Sequence, residues 1–152
     1  MTLGAAGIVA AVASHAKATG HFERVLAHEP KSAPGNGLTC AIWWQDLRPV
    51  AAASGLQATS VRLELQVRAY QNMLAEPQDD IDTDLLEAID ALMAAYSADF
   101  TLGGLVRDVD LLGAHGDPLS ATGGYLTLDN KLFRVGDIVL PLIINDLYPQ
   151  AP

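Results

Sequence analysis

The side chains able to do chemistry are His15, His21, His28, His115, Cys40, Ser54 and an aspartate run, and each sits in a spacing that lacks a necessary partner. In Asp80-Ile81-Asp82-Thr83-Asp84, oxygens fall at the first, third and fifth positions of a calcium loop. The position that needs glycine for the sharp turn is Leu85, and the one that supplies a bidentate glutamate is Ala91. The run reads instead as a helix start, where negative charge complements the dipole. His28-Glu29 opens like a zinc-protease helix, but Ser32 stands where the second histidine belongs, and Pro30 breaks the helix. The histidines form no close ligand pair, so neither a metal nor a cofactor is expected.

Nucleophilic chemistry fares no better. Ser54 lies in Ala53-Ser54-Gly55 without the flanking glycine of a nucleophile elbow. Cys40 opens an apolar segment where a small buried thiol is ordinary, and Cys40 with His28 lacks the electropositive setting of a reactive dyad. Gly35-Asn36-Gly37 has neither the third glycine nor the following helix of a phosphate cradle. A hydrolase would require His28, Cys40, Ser54, His115 or Asp117 to converge in one pocket. The expectation is a chain without catalytic machinery that works by binding other proteins. Trp43 and Trp44 are adjacent, so on a strand they point to opposite faces; the second ring meets either a partner or a covering loop or helix.

Charge and composition narrow the partners. Nine basic against eighteen acidic residues give a formal net charge of −9, which repels phosphate and anionic lipid. The single cysteine rules out an intrachain disulfide and fits a reducing compartment. Leu3 to Ala13 is apolar but lacks a basic n-region and is too short to span a bilayer, so residence in the cytoplasm is expected. Half the residues are apolar and 18% are charged, a globular composition. A chain of this length forms one domain, taken as residues 1–152, and buries about 68–70% of its unfolded surface.

The elements that must position these residues follow from hydrophobic period. Thr2 to Thr19 reads as a helix with Ile8, Val12 and Ala16 on its buried stripe, stopped by Gly20. A short apolar step at Phe22 to Leu26 leads into a long exposed loop, His28 to Gly37. Leu38 to Trp44 reads as a strand, and Asp46 to Thr59 as a connection. From Val61 to Ala69, Val61, Leu63, Leu65, Val67 and Ala69 alternate with Arg62, Glu64, Gln66 and Arg68, predicting one core face and one wet face. After a turn from Asn72 to Gln78, Ile81, Leu85, Ile89, Leu92, Met93 and Tyr96 keep helical spacing. Leu105 to Leu112 reads as a strand with Val109 and Leu111 opposite Asp108 and Asp110, and Gly113 to Pro118 as a loop. Tyr125 to Leu128, Asp129-Asn130 and Leu132 to Ile144 form a β-hairpin, and Pro141 argues that part of the last strand is an edge. The class is α+β: a mostly antiparallel sheet with two main helices packed against it.

Four segments carry a family resemblance: His28-Glu29-Pro30-Lys31-Ser32-Ala33-Pro34-Gly35-Asn36-Gly37-Leu38; Val67-Arg68-Ala69-Tyr70 continuing to Glu76-Pro77; the helix Leu85 to Tyr96; and Val109-Asp110-Leu111-Leu112-Gly113-Ala114-His115-Gly116. In these the chain resembles, over nearly its whole length, tail terminator proteins of long-tailed bacteriophages, especially those of actinobacterial phages and prophages. The resemblance implies a ring, usually of six copies, on the head-proximal end of the tail tube. Such a ring stops tube growth and offers a docking surface to a head-completion or neck protein. It also implies location in the virion tail after synthesis in the host bacterial cytoplasm. DNA would cross the ring without sequence-specific binding, past an acidic lumen for which Asp79, Asp80, Asp82 and Asp84 are candidates. Candidate contacts between subunits or with partners are Lys31, Pro34 and Asn36 in the first loop, Arg48, and His115 and Asp117 in the later loop. Another neck or head-completion protein of the virion would share these features.

Overall fold

A computed structural model describes residues 3–150. Helix α1 (Ala5–Ala18) is followed by strands β1 (Arg24–Leu26), β2 (Thr39–Pro49) and β3 (Ala58–Asn72), helix α2 (Ile81–Ala98), and strands β4 (Asp108–Val109), β5 (Ser120–Leu128) and β6 (Lys131–Pro149). Thr2, where the helical spacing begins, lies outside the described residues. The strands form one sheet in the order β1-β2-β3-β6, and beyond β6 come β4 and β5, each paired with a different stretch of it. Among the described residues only the β1–β2 pair is parallel. The class is therefore the α+β expected from the periodicity.

Both helices lie on one face of the sheet. Ile8, Val12 and Ala16 of α1 and Leu85, Ile89, Leu92 and Tyr96 of α2 pack against Cys40, Ile42, Leu65, Val67, Ile138, Leu140 and Leu142 in the principal core. Burial of these side chains, each contributing about 1.5–3 kcal/mol when large and aliphatic, holds the helices down. Two polar contacts fix their relative position. Tyr96 donates its hydroxyl hydrogen to the Val12 carbonyl (3.1 Å), and His15 Nε2 lies 2.8 Å from Asp99 Oδ2 with its ring edge-on to Tyr96. The Gly103 N–H and His15 together hold the Asp99 carboxyl below its usual range.

Four sequence expectations need correction. The polar face of β3 is not wet: Arg62 is buried, and Glu64, Gln66 and Arg68 are half-buried. The Arg62, Glu64 and Arg68 side chains lie along the sheet in ion pairs, and loops close over both ends of that face, so the alternation is real but its second partner is loop rather than water. Segment 46–59 is not merely a connection. β2 runs on past an irregularity between Trp44 and Asp46 to Pro49, and a short 3₁₀ turn at Ala51–Ala53 precedes β3.

Leu105 to Leu112 yields only the two residues of β4, because successive turns at 101–106 deliver the chain to β6 late and Asp110 then leaves the ladder. Pro141 sits in β6, an interior strand. Its carbonyl accepts from the Asp110 N–H (2.9 Å), so its nitrogen faces the gap between β5, which reaches Val139, and β4, which begins opposite Leu142. A strand residue directs nitrogen and carbonyl to the same side, and at this gap no ladder donor is needed.

The opposite faces of β3 make a paired test. Leu65→Asp puts an unpaired charge into the helix-covered core, costing on the order of 4 kcal/mol or more, and should abolish the cooperative thermal transition seen by circular dichroism. Gln66→Thr, one residue away on the other face, should keep that transition and lose less than about 1 kcal/mol.

Candidate functional site

The open face of the sheet gathers charge in two clusters. At one end, Arg62 of β3 is 6% exposed, donates from Nη1 to Glu64 Oε1 (3.0 Å) and from Nη2 to the Asp117 carbonyl (2.6 Å), and has no partner for Nε. Arg48 of β2, paired in register with Arg62, holds its own guanidinium on Asp46. Together with His115, Gly116 and Asp117 these residues line a pocket of about 170 Å³. Farther along the same face, Arg68 pairs with Asp137 and lies over the rings of Trp43 (5.1 Å) and Tyr70 (5.8 Å). That stacking accounts for one tryptophan. Trp44, on the other side of β2, is 67% exposed.

The loop bearing His115 owes its shape to Asp110, which the alternation pattern had marked as solvent-facing. Asp110 is buried and its carboxylate accepts the N–H groups of Ala114 (2.7 Å) and His115 (2.9 Å), while its carbonyl accepts from Leu119 (3.1 Å). Gly113 closes the turn at a φ of 78°, and a Cβ there would meet the Gly116 carbonyl oxygen. An aspartate followed closely by such a glycine is the sequence signal for this arrangement.

The candidate residues thus separate into three places. Arg48, His115 and Asp117 meet in one pocket. Lys31 and Pro34 line another, of about 160 Å³, with Arg24, His28 and Thr39. Lys31 and Asn36 are exposed, whereas Pro34 is buried, a correction to its reading as an exposed contact. Loop 27–37 folds back across the open face, where Ala33 joins Ala41, Tyr70, Phe133 and Val135 in a second apolar cluster and donates its N–H to Asp129 (2.7 Å), and this buries the neighbouring proline. Asp79, Asp80, Asp82 and Asp84 are all exposed at the start of α2, and Asp82 pairs with Arg134 (2.8 Å).

The residues weighed for nucleophilic catalysis stay apart. Cys40 is buried in the helix-side core, where burial pushes its thiol up to about 12. Ser54 donates to the Val50 carbonyl (2.6 Å) and accepts from the Ser60 N–H (3.0 Å), a turn-closing role. His28 belongs to the Lys31 pocket and His115 to the Arg48 pocket. Among the described residues, no three His, Cys, Asp or Glu side chains are grouped to hold a metal ion. No helix among the described residues is long and apolar enough to cross a membrane.

No protein-family model and no curated protein sequence matches this chain.

The sheet edges are the remaining open features. Among the described residues β5 pairs only with β6, leaving its other edge unpaired, and its sequence, Ser-Ala-Thr-Gly-Gly-Tyr-Leu-Thr-Leu, holds no charge and no proline. At the far edge, β1 is only three residues long and flanks a shallow groove formed with Ala6, Val9, Ala10 and Ala13 of α1.

Two measurements check this assignment. A thiol reagent added to the native chain should leave Cys40 unreacted until denaturant is present, since both access and ionisation are suppressed. Arg62→Leu should cost about 3 kcal/mol, because Glu64 and the Asp117 carbonyl lose their buried partner; denaturant melts measure the loss, and amide exchange should quicken at 113–119.

Proposed function

We propose that the chain is a structural assembly subunit of the tail-terminator type: a ring that caps the head-proximal end of a phage tail tube, stops its polymerisation and presents a docking surface to a neck protein. The observation that carries this reading is the pair of unlike open sheet edges. Natural sheets blunt exposed edges with charge, proline or a covering element. β5 has neither charge nor proline over nine residues, and its backbone bonds only to β6. An edge left in that state is suited to pairing with another chain.

Because β5 and β1 differ in length, direction of pairing and surroundings, a contact between β5 of one copy and the β1 side of the next is heterologous. Heterologous contacts repeat head to tail and close into rings when the rotation allows. The resemblance to tail terminators, carried by the loop 28–38, the strand through 67–70 with Glu76-Pro77, the helix 85–96 and the 109–116 segment, is the reason for choosing a ring on a tube over other assemblies. The net charge of −9 suits a ring that DNA must cross without being gripped. Arg48, His115 and Asp117 form a compact polar surface of the kind that sets register between subunits.

The test is incubation with purified tail tubes, followed by negative-stain imaging and a tube-extension assay. The expected result is a ring at one tube end and arrested extension on addition of fresh tube protein. Chains that leave tube ends bare and extension unchanged would overturn the reading. Charge reversal at Arg48, which is exposed, should leave the thermal transition in place while weakening capping.

A further inference from the structure

The second pocket on the open face carries an inference that rests on the ring reading and specifies one of its contacts. Five of the six arginines are engaged in ion pairs, Arg48 with Asp46, Arg62 with Glu64, Arg68 with Asp137, Arg107 with Asp108 and Arg134 with Asp82. Arg24 is the exception, and among the described residues neither it nor Lys31 has a carboxylate within ion-pair distance. These two line the same pocket with His28, Ser32 and Thr39, and no acidic residue shares its wall. A Cβ at Gly35 would collide with the Arg24 guanidinium, so glycine lets that group lie flat against the loop. The Thr39 hydroxyl, on a residue 1% exposed, has no hydrogen-bond partner. On a chain with twice as many acids as bases, a basic pocket with an unsatisfied hydroxyl in its wall suits a carboxylate, and its own copy brings none within ion-pair distance of Arg24 or Lys31: Asp129, the acid held at this wall, accepts from the Ala33 N–H.

The matching surface is on α2. Asp79 and Asp80 just before it and Asp84, Glu87 and Asp90 along it are exposed, and among the described residues none of the five is in an ion pair. α2 packs over β3 and β6, whereas the pocket belongs to β1, the start of β2 and the loop between them. The acids and the pocket therefore lie over different parts of the sheet, and no ion pair joins them within one copy. We infer that the pocket formed by Arg24, His28, Lys31 and Thr39 receives an aspartate or glutamate from the first turns of α2 of the next copy. In this arrangement Asp79, Asp80 and Asp84 face the subunit boundary rather than the lumen. The exposed basic groups gain the charge-assisted bonds they lack, and like edges are kept apart by repulsion of acid from acid.

The experiment is carbodiimide coupling, which joins an amine directly to a carboxylate in contact with it, on rings assembled on tail tubes from a mixture of ordinary and nitrogen-15-labelled full chains. Mass spectrometry should find Lys31 joined to a carboxylate of residues 79–90, with the two peptides carrying different labels. Lys31→Arg, which keeps the charge and removes the reactive amine, should lose that product. Rings that cap tubes but yield no mixed-label link from Lys31 to residues 79–90 would overturn the inference and leave the ring standing. A wild-type chain that forms no ring would overturn both.

Discussion

The antiparallel ladder between β3 and β6, running from Ala58↔Pro149 to Asn72↔Phe133, is the constraint on which the other elements depend. Its period of two sends Leu63, Leu65, Val67, Leu140 and Leu142 to one side, and that apolar strip is where α1 and α2 dock. The same period sends Arg62, Glu64, Arg68 and Asp137 to the other side. A slip of one residue would exchange the two sets, exposing the core strip and burying the charges beneath the helices. Register in this pair therefore decides at once where the helices sit and where the charged face lies.

That charged face has no helix over it, and its own chemistry closes it. Arg62 and Glu64, then Arg68 and Asp137, lie along the sheet in pairs, and Trp43 is covered by a guanidinium instead of a helix. Loop 27–37 seals one end through Ala33 and Pro34, and loop 113–118 seals the other by accepting the Arg62 Nη2 hydrogen at Asp117. Half-burial of this kind leaves a polar surface with fixed donors and acceptors. The edges and the pockets then give the molecule two unlike sides, which is the geometric requirement for repeating in a closed circle.

Much of this was legible in the sequence because it rests on local period. The alternation at 61–69, the helical spacing from Ile81 to Tyr96 and the Asp129-Asn130 turn, whose two residues adopt φ of 50° and 62°, depend on near neighbours in the chain. What escaped depends on distant ones. Arg62 looks solvent-facing until the loop 55 residues away arrives, and Asp110 looks like a wet strand residue until Ala114 and His115 turn back onto it. Pro141 looked like an edge because only the topology shows that its strand changes partners there. The meeting of Arg48, His115 and Asp117 was likewise invisible, although each had been singled out from its own irregular stretch. The pairing of Arg24 with Lys31 was missed because Arg24 carries no motif, and only the fold of the loop sets the two side by side.

The central claim is that the open edge of β5 is completed by another copy of the chain. Hydrogen exchange at the β5 amides that point away from β6, measured on the free chain and on chain bound to tube ends, tests it most directly. Exchange at those amides should slow on assembly to rates like those of the amides bonded to β6, because each gains a strand partner. Tube-bound chain whose outward β5 amides exchange as fast as in the free state would contradict the account.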